Sequence, residues 1–202
     1  MVMAELLFNE ETHKYTMGGV TLPSVTTVMR PLYDFSMVDK EVLRLAGEFG
    51  TAVHKTVELY LLSDLDEETL DPALIGPLEA FKAWQADYPQ LQGRFHVENR
   101  MADARLLYAG TADLIIDAEA VIDIKTRKAN QLTDPIQLEA YERLWLKNGG
   151  TKGKYDHRVL ELNQDGTYQY VKAAHRDAWS RFRFLLDHHN NNLKIQTWRT
   201  CK

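Results

Sequence analysis

Gly110-Thr-Ala-Asp113-Leu-Ile-Ile-Asp-Ala-Glu-Ala-Val-Ile-Asp123-Ile-Lys125 is the stretch whose reading decides the fold. Two β-branched runs are joined by the short polar linker Asp117-Ala-Glu119, the pattern of a hairpin. Side chains alternate along a strand, so Asp123 and Lys125 share one face while Ile122 and Ile124 point the opposite way into a core. Asp113 falls on the neighbouring strand, close enough to Asp123 to share a cation. Two carboxylates and an ammonium converging on one point cost free energy that stability alone does not require. The arrangement suits hydrolysis of a phosphodiester with a divalent metal.

Working outward, β-type segments are expected at 93–101, 104–109, 111–117 and 121–126. A helix follows over 132–146, opening at Thr133 or Asp134 with Pro135 in its first turn. Segments 156–162 and 168–172 flank Asn163-Gln-Asp-Gly166, a hairpin turn signal, and a last helix is expected over 177–190. Towards the N-terminus, 6–8 and 14–16 form a small hairpin, and Ser24 caps a short helix over 25–29 that Pro31 ends. Apolar residues at 42, 45, 46, 49, 53, 57, 60 and 61 give 38–62 a helical period, repeated over 72–88. No repeat or long linker interrupts the order. The pattern predicts one α/β domain over 1–202, a mixed central β-sheet flanked by helices. Its parts are an N-terminal hairpin and helical region (1–90), a core (91–147) and a C-terminal hairpin plus helix (148–202).

The 202 residues suffice for a substantial core, and the 45% hydrophobic and 10% aromatic fractions are those of a globular protein. A net charge of −5 argues against a broad, non-specific nucleic-acid coat. The charge is uneven: from Lys172 to Lys202 seven Lys/Arg stand against two Asp/Glu, while Asp64 to Asp71 is acidic. A basic C-terminal face can hold a phosphate backbone, or be a solvated helix surface. Cys201, alone, closes no internal disulfide and holds no iron–sulfur cluster. A reducing compartment is expected, with no signal peptide and no membrane span.

Further motifs surround the opening stretch. Gly50-Thr-Ala-Val-His54-Lys-Thr-Val-Glu58 sets His54 and Glu58 four apart on a helix, and Gln137-Leu-Glu-Ala-Tyr141 does the same for Gln137 and Tyr141. In order, His54, Glu98, Gly110/Asp113, Asp123/Lys125 and Gln137/Tyr141 resemble the PD-(D/E)XK nuclease superfamily, in its RecB-like exonuclease branch. The likeness covers about residues 50–141. Pro23 to Thr27 also looks like the N-terminal part of mitochondrial and phage-type single-strand exonucleases of that branch. Ala112 stands where the superfamily's namesake proline falls, and relatives with a cysteine cluster have no counterpart here.

The resemblance implies a restriction-endonuclease-like core and a Mg²⁺- or Mn²⁺-dependent deoxyribonuclease acting at single-stranded ends or flaps, in recombination, repair or replication. Asp113 and Asp123 are hard oxygen ligands for such ions. The resemblance adds the Ile124 carbonyl and His54 as ligands, and the imidazole tilts the expectation towards manganese. Lys125 orients and helps deprotonate the attacking water, and Glu98 takes a second metal or its water. Gln137 and Tyr141 hold the strand, with Tyr141 able to stack on a base. Glu58 and Gly110 stand behind these groups. Helices 38–62 and 67–88 are expected to form a wall or arch over the site. The implied setting is the cytoplasm of a bacterium or a phage-infected cell.

Bland alternatives stand beside these roles: His54 as a core histidine beside Val53 and Val57, Asp123 and Lys125 as a surface pair, Tyr141 as a core aromatic. At the level of function, a structure-selective or double-strand endonuclease and a non-catalytic nucleic-acid or partner-binding module remain open. Trp84, Trp145 and Trp179 are expected in the core, whereas Trp198 either caps the domain or stacks on nucleic acid.

Overall fold

The computed structural model describes residues 5–91 and 95–200, with side chains to residue 193. Trp198 and Cys201 lie outside the described side chains. Three short strands come first: β1 (Leu6–Asn9), β2 (Lys14–Met17) and β3 (Val20–Leu22), an antiparallel meander. The third strand was not expected. It follows Gly18 and Gly19, both at positive φ (56° and 80°), a turn that glycine makes without steric cost.

Helix α1 (Val25–Met29) starts at Ser24, whose hydroxyl accepts from the Thr27 N–H as read from the sequence. Then come α2 (Lys40–Leu61), α3 (Pro72–Asp87), β4 (Phe95–Asp103), β5 (Tyr108–Ile116) and β6 (Ala120–Lys125). The chain ends in α4 (Asp134–Lys147), β7 (Asp156–Leu162), β8 (Tyr168–Lys172) and α5 (Ala178–Thr200). Strands β4 to β8 lie in sequence order in one mixed sheet, antiparallel except for the β6–β7 pair, which α4 connects.

Helices cover both faces of this sheet. On one, α1, α4 and α5 pack Val28, Leu138, Leu144 and Phe182 against Tyr108, Ile115, Val121 and Val159. On the other, Val53 and Val57 of α2 and Phe81 and Trp84 of α3 meet Leu114, Ile116, Ile122 and Ile124. The alternation read from 113–125 thus sorts the hairpin between two cores. Trp84 and Trp145 are buried, and Trp179 packs at the edge of the first core.

Two expectations are corrected. The segments 104–109 and 111–117 are not two strands: β5 is continuous, and the break lies at Asp103–Leu107 instead. There the Asp103 carboxylate accepts from the Arg105 and Leu106 N–H groups (2.8 and 3.0 Å), and Leu107 is left-handed (φ 58°). Nor is α3 part of an arch, because its Leu78, Phe81 and Trp84 are buried against the sheet. Only the first half of α2 stands free, with Val42 and Leu45 exposed. Among the described residues no helix is long and apolar enough to cross a membrane.

Candidate metal centre

The site forms where a β ladder stops. β5 and β6 pair through Leu114↔Ile122, Ile115↔Val121 and Ile116↔Ala120. Asp113 and Asp123 stand at the next register position, and there the pairing ends. The Ile124 N–H, freed from the ladder, donates to Asp113 Oδ2 at 2.6 Å, and the Ile124 carbonyl meets His54 Nε2 at 2.9 Å. Buried backbone groups need partners, and these two find them in site side chains.

Glu98 completes a row. β4 and β5 pair at Val97↔Leu114 and Asn99↔Ala112, so Glu98 lies across from Asp113 on its other side. Glu98 has φ 46°, a conformation that a residue with a Cβ seldom adopts and that marks strain held in place by its surroundings. Three carboxylates, Glu98, Asp113 and Asp123, therefore stand side by side on three adjacent strands. Like charges directly opposite destabilise a sheet.

His54, carried by the buried half of α2, reaches over this row. Its Nδ1 lies 3.3 Å from Asp113 Oδ1 and 3.9 Å from Glu98 Oε1. One ligand-type atom from each of His54, Glu98 and Asp113 falls within 4.8 Å of the other two. Asp123 is outside that group. Its Oδ2 forms an ion pair with Lys125 Nζ at 2.6 Å, and its Oδ1 accepts from Gln137 Nε2 at 3.0 Å. Yet Asp123 Oδ2 is buried and has no hydrogen bond of regular geometry, so it keeps unused lone pairs.

The electrostatics follow from crowding. Burial works against a charged His54, but the adjoining Asp113 carboxylate prevails and pushes its pKa up to about 9. Burial, with the negative charge of Asp113, raises Glu98 to about 7. Burial raises Asp123 to about 6 against the pull of Lys125, and Asp113 adds to the rise. Asp113 is buried too, but the imidazolium outweighs that and holds its carboxyl below the usual range. Burial works to strip Lys125 of its proton, and the charges of Asp123 and Asp113 overrule it, leaving the ammonium firmer than usual. The charge of Asp113 thus favours a protonated His54 and works against ionisation of Glu98 and Asp123.

Those donors fit a hard divalent cation: carboxylate oxygens, one carbonyl oxygen and one imidazole, with the buried Asp123 Oδ2, paired with Lys125, beside them. The remaining expected residues take other places. Glu58, one turn beyond His54, pairs with Lys55 at 2.8 Å, and its charge reaches Glu98. Gln137 and Tyr141 do not face outward to a strand as expected. Both are 5% exposed, and Gln137 Nε2 bridges Asp123 and the Tyr141 hydroxyl (3.1 Å). The reason is Gly110: a Cβ there would come within 2.8 Å of the Tyr141 ring, so the ring lies on bare backbone. Tyr141 thus has the core position that its alternative reading named.

One supporting pair was not legible. Arg127 grips the buried Asp134 through both carboxylate oxygens (2.7 and 3.2 Å), and the Asn130 N–H adds a third contact at 2.6 Å. This fixes the start of α4, one turn before Gln137. The Asp134-Pro135 dipeptide marks a helix start, but nothing in it names Arg127. The chain matches no family model and no curated protein.

Proposed function

We propose that this protein is a metal-dependent deoxyribonuclease with a restriction-endonuclease-like core, similar to the RecB-like exonucleases, hydrolysing phosphodiesters at single-stranded ends or flaps. The observation that carries the reading is the row Glu98–Asp113–Asp123 on adjacent strands, with Lys125 two residues beyond its last member. A stable fold has no use for three adjoining carboxylates, whereas a Mg²⁺ or Mn²⁺ site does.

Asp113, Asp123, the Ile124 carbonyl and His54 are the groups to hold the ion, with Glu98 beside them. When bound, such an ion polarises a phosphodiester oxygen and acidifies water. The chain's own residues do the rest. Lys125, kept protonated by Asp123, offers charge and hydrogen-bond donors to the phosphate rather than a base. This narrows its expected role: the water's proton goes to a carboxylate of the row or to solvent. Gln137 fixes Asp123, and Tyr141 fixes Gln137.

The test compares wild type with Lys125→Ala on end-labelled linear single-stranded DNA in Mn²⁺, Mg²⁺ or EDTA. Metal-dependent shortening that falls at least about a hundredfold in the variant is expected. A closed circular strand should resist. Equal cleavage of the circle would point to an endonuclease, and no cleavage at all, with DNA still bound, to a binding module.

A further inference from the structure

Among the described residues, six of the large exposed apolar side chains fall in one short stretch: Leu32, Phe35, Met37, Val38, Val42 and Leu45. Such a concentration marks an interaction surface more often than chance. It contains an aromatic pair. The rings of Tyr33 and Phe35 are nearly parallel (6°), with centroids 5.8 Å apart. Tyr33 is the inner member: it packs against the core of α1, α4 and α5, its hydroxyl engages Thr133, and the charges of Lys125 and Arg127 reach it. Phe35 is the outer member. Tyr33 lies parallel and offset beside it, and 52% of the residue remains exposed.

The segment carrying the pair is held by short turns. The Tyr33 N–H donates to the Arg30 carbonyl at 3.1 Å, and the Ser36 N–H to Asp34 Oδ1 at 2.9 Å. A stacked pair on a fixed turn is a platform prepared in advance, which lowers the ordering cost of binding. Its inner member lies within electrostatic reach of Lys125 and Arg127. Those two are paired with Asp123 and Asp134, whereas Lys128, the next residue, is exposed with no ion pair among the described residues and is the cation open to a phosphate.

We infer that Phe35 is a stacking platform for one unpaired base of the strand whose phosphate meets Lys125 and the ion proposed for Asp113 and Asp123. The inference rests on the nuclease reading and narrows it. A base offers its flat face only when it is out of a duplex stack, so the substrate has at least one unpaired nucleotide beside the bond that is cut. Stacking is indifferent to base identity, so the platform selects single-stranded character and not sequence.

The experiment uses short single-stranded oligonucleotides carrying 2-aminopurine, with Ca²⁺ as the hard cation in place of Mg²⁺ or Mn²⁺, and a second set with one abasic position moved along the strand. Wild type is expected to bind and quench the probe. Phe35→Leu, an exposed change whose folding is checked by its melting curve, is expected to weaken binding about tenfold. At one abasic position the two proteins should bind alike, and Phe35→Trp should restore wild-type affinity. Equal affinity of wild type and Phe35→Leu for the intact strand overturns the inference, as does an equal loss on intact and abasic strands. A wild-type dimer that Phe35→Leu splits, with oligonucleotide binding unchanged, assigns the face to a second copy and also overturns it. Cleavage in Mn²⁺ separates the two readings. Stacking without cleavage removes the nuclease and keeps the platform, cleavage with an indifferent Phe35→Leu does the reverse, and a wild type that binds no strand removes both.

Discussion

Two groups of acids and imidazole lie within reach of α4, and they differ in how their charge is met. Glu139, Glu142 and His157 approach one another as closely as His54, Glu98 and Asp113 do. In the first group each acid has its own partner: Arg143 holds Glu139 at 2.7 Å, and His157 Nε2 hydrogen-bonds to Glu142 Oε2 at 2.6 Å. Lys154, Lys172 and Arg176 line the same recess. In the second, three carboxylates in a row share Lys125 and a histidine that must be protonated to help. Residue type and spacing alone do not separate these groups. Uncompensated adjacency does, because in the second group the neighbouring carboxylates outnumber the basic groups that meet them.

Metal binding is where that contrast breaks most visibly. Mn²⁺ at a hundred times its Kd should stabilise wild type by about 2.7 kcal/mol, read as a rise in Tm. Asp113→Asn should abolish the rise and Glu142→Gln should leave it whole. The opposite pattern would move the centre to the α4–β7 recess.

Proton competition is the next test. His54, Glu98 and Asp123 have pKa values raised to about 9, 7 and 6, so each carries its proton to higher pH than usual and must release it before serving as a ligand. Metal affinity by calorimetry should therefore climb between about pH 6 and about pH 9, by at least roughly tenfold or about 1.4 kcal/mol. A flat profile would mean that these groups do not hold the ion.

The smallest effect concerns the empty row. Glu98 in the folded chain titrates at about 7 against an ordinary 4.5, so stability is lost as the pH rises from about 4.5 to about 7, and the whole cost of its charge is present above that. In EDTA near pH 8, Glu98→Gln is expected to raise stability by roughly 0.2–1 kcal/mol, fading towards pH 5. Destabilisation at both pH values would show that the row is not repulsive.

Much of this was legible because two periods are simple. The parity of Ile122 and Ile124 against Asp123 and Lys125 announced a strand with one face in a core, and His54 and Gln137 were readable at helical spacing; the second core, on Ile115 and Val121, was not. Legibility failed where a tertiary neighbour overrides the local pattern. Glu98 sat in an ordinary strand, and its left-handed backbone comes from the row it completes. Tyr141 had the right spacing for a surface position, but glycine at 110, a strand away, drew it inward. The free half of α2 and the buried α3 both carry helical stripes. Only the sheet that receives one of them tells the two apart.

The kink at Glu98 has a consequence for how the chain meets copies of itself. β4 is the outermost strand of its sheet, with a neighbour on one side only. An edge of that kind, if long and flat, is a template on which another polypeptide can add. Here the left-handed residue cuts the strand into 95–97 and 99–103, and the open part carries His96, Glu98 and Arg100. The kink that sets Glu98 beside Asp113 also interrupts the flat edge on which such addition depends.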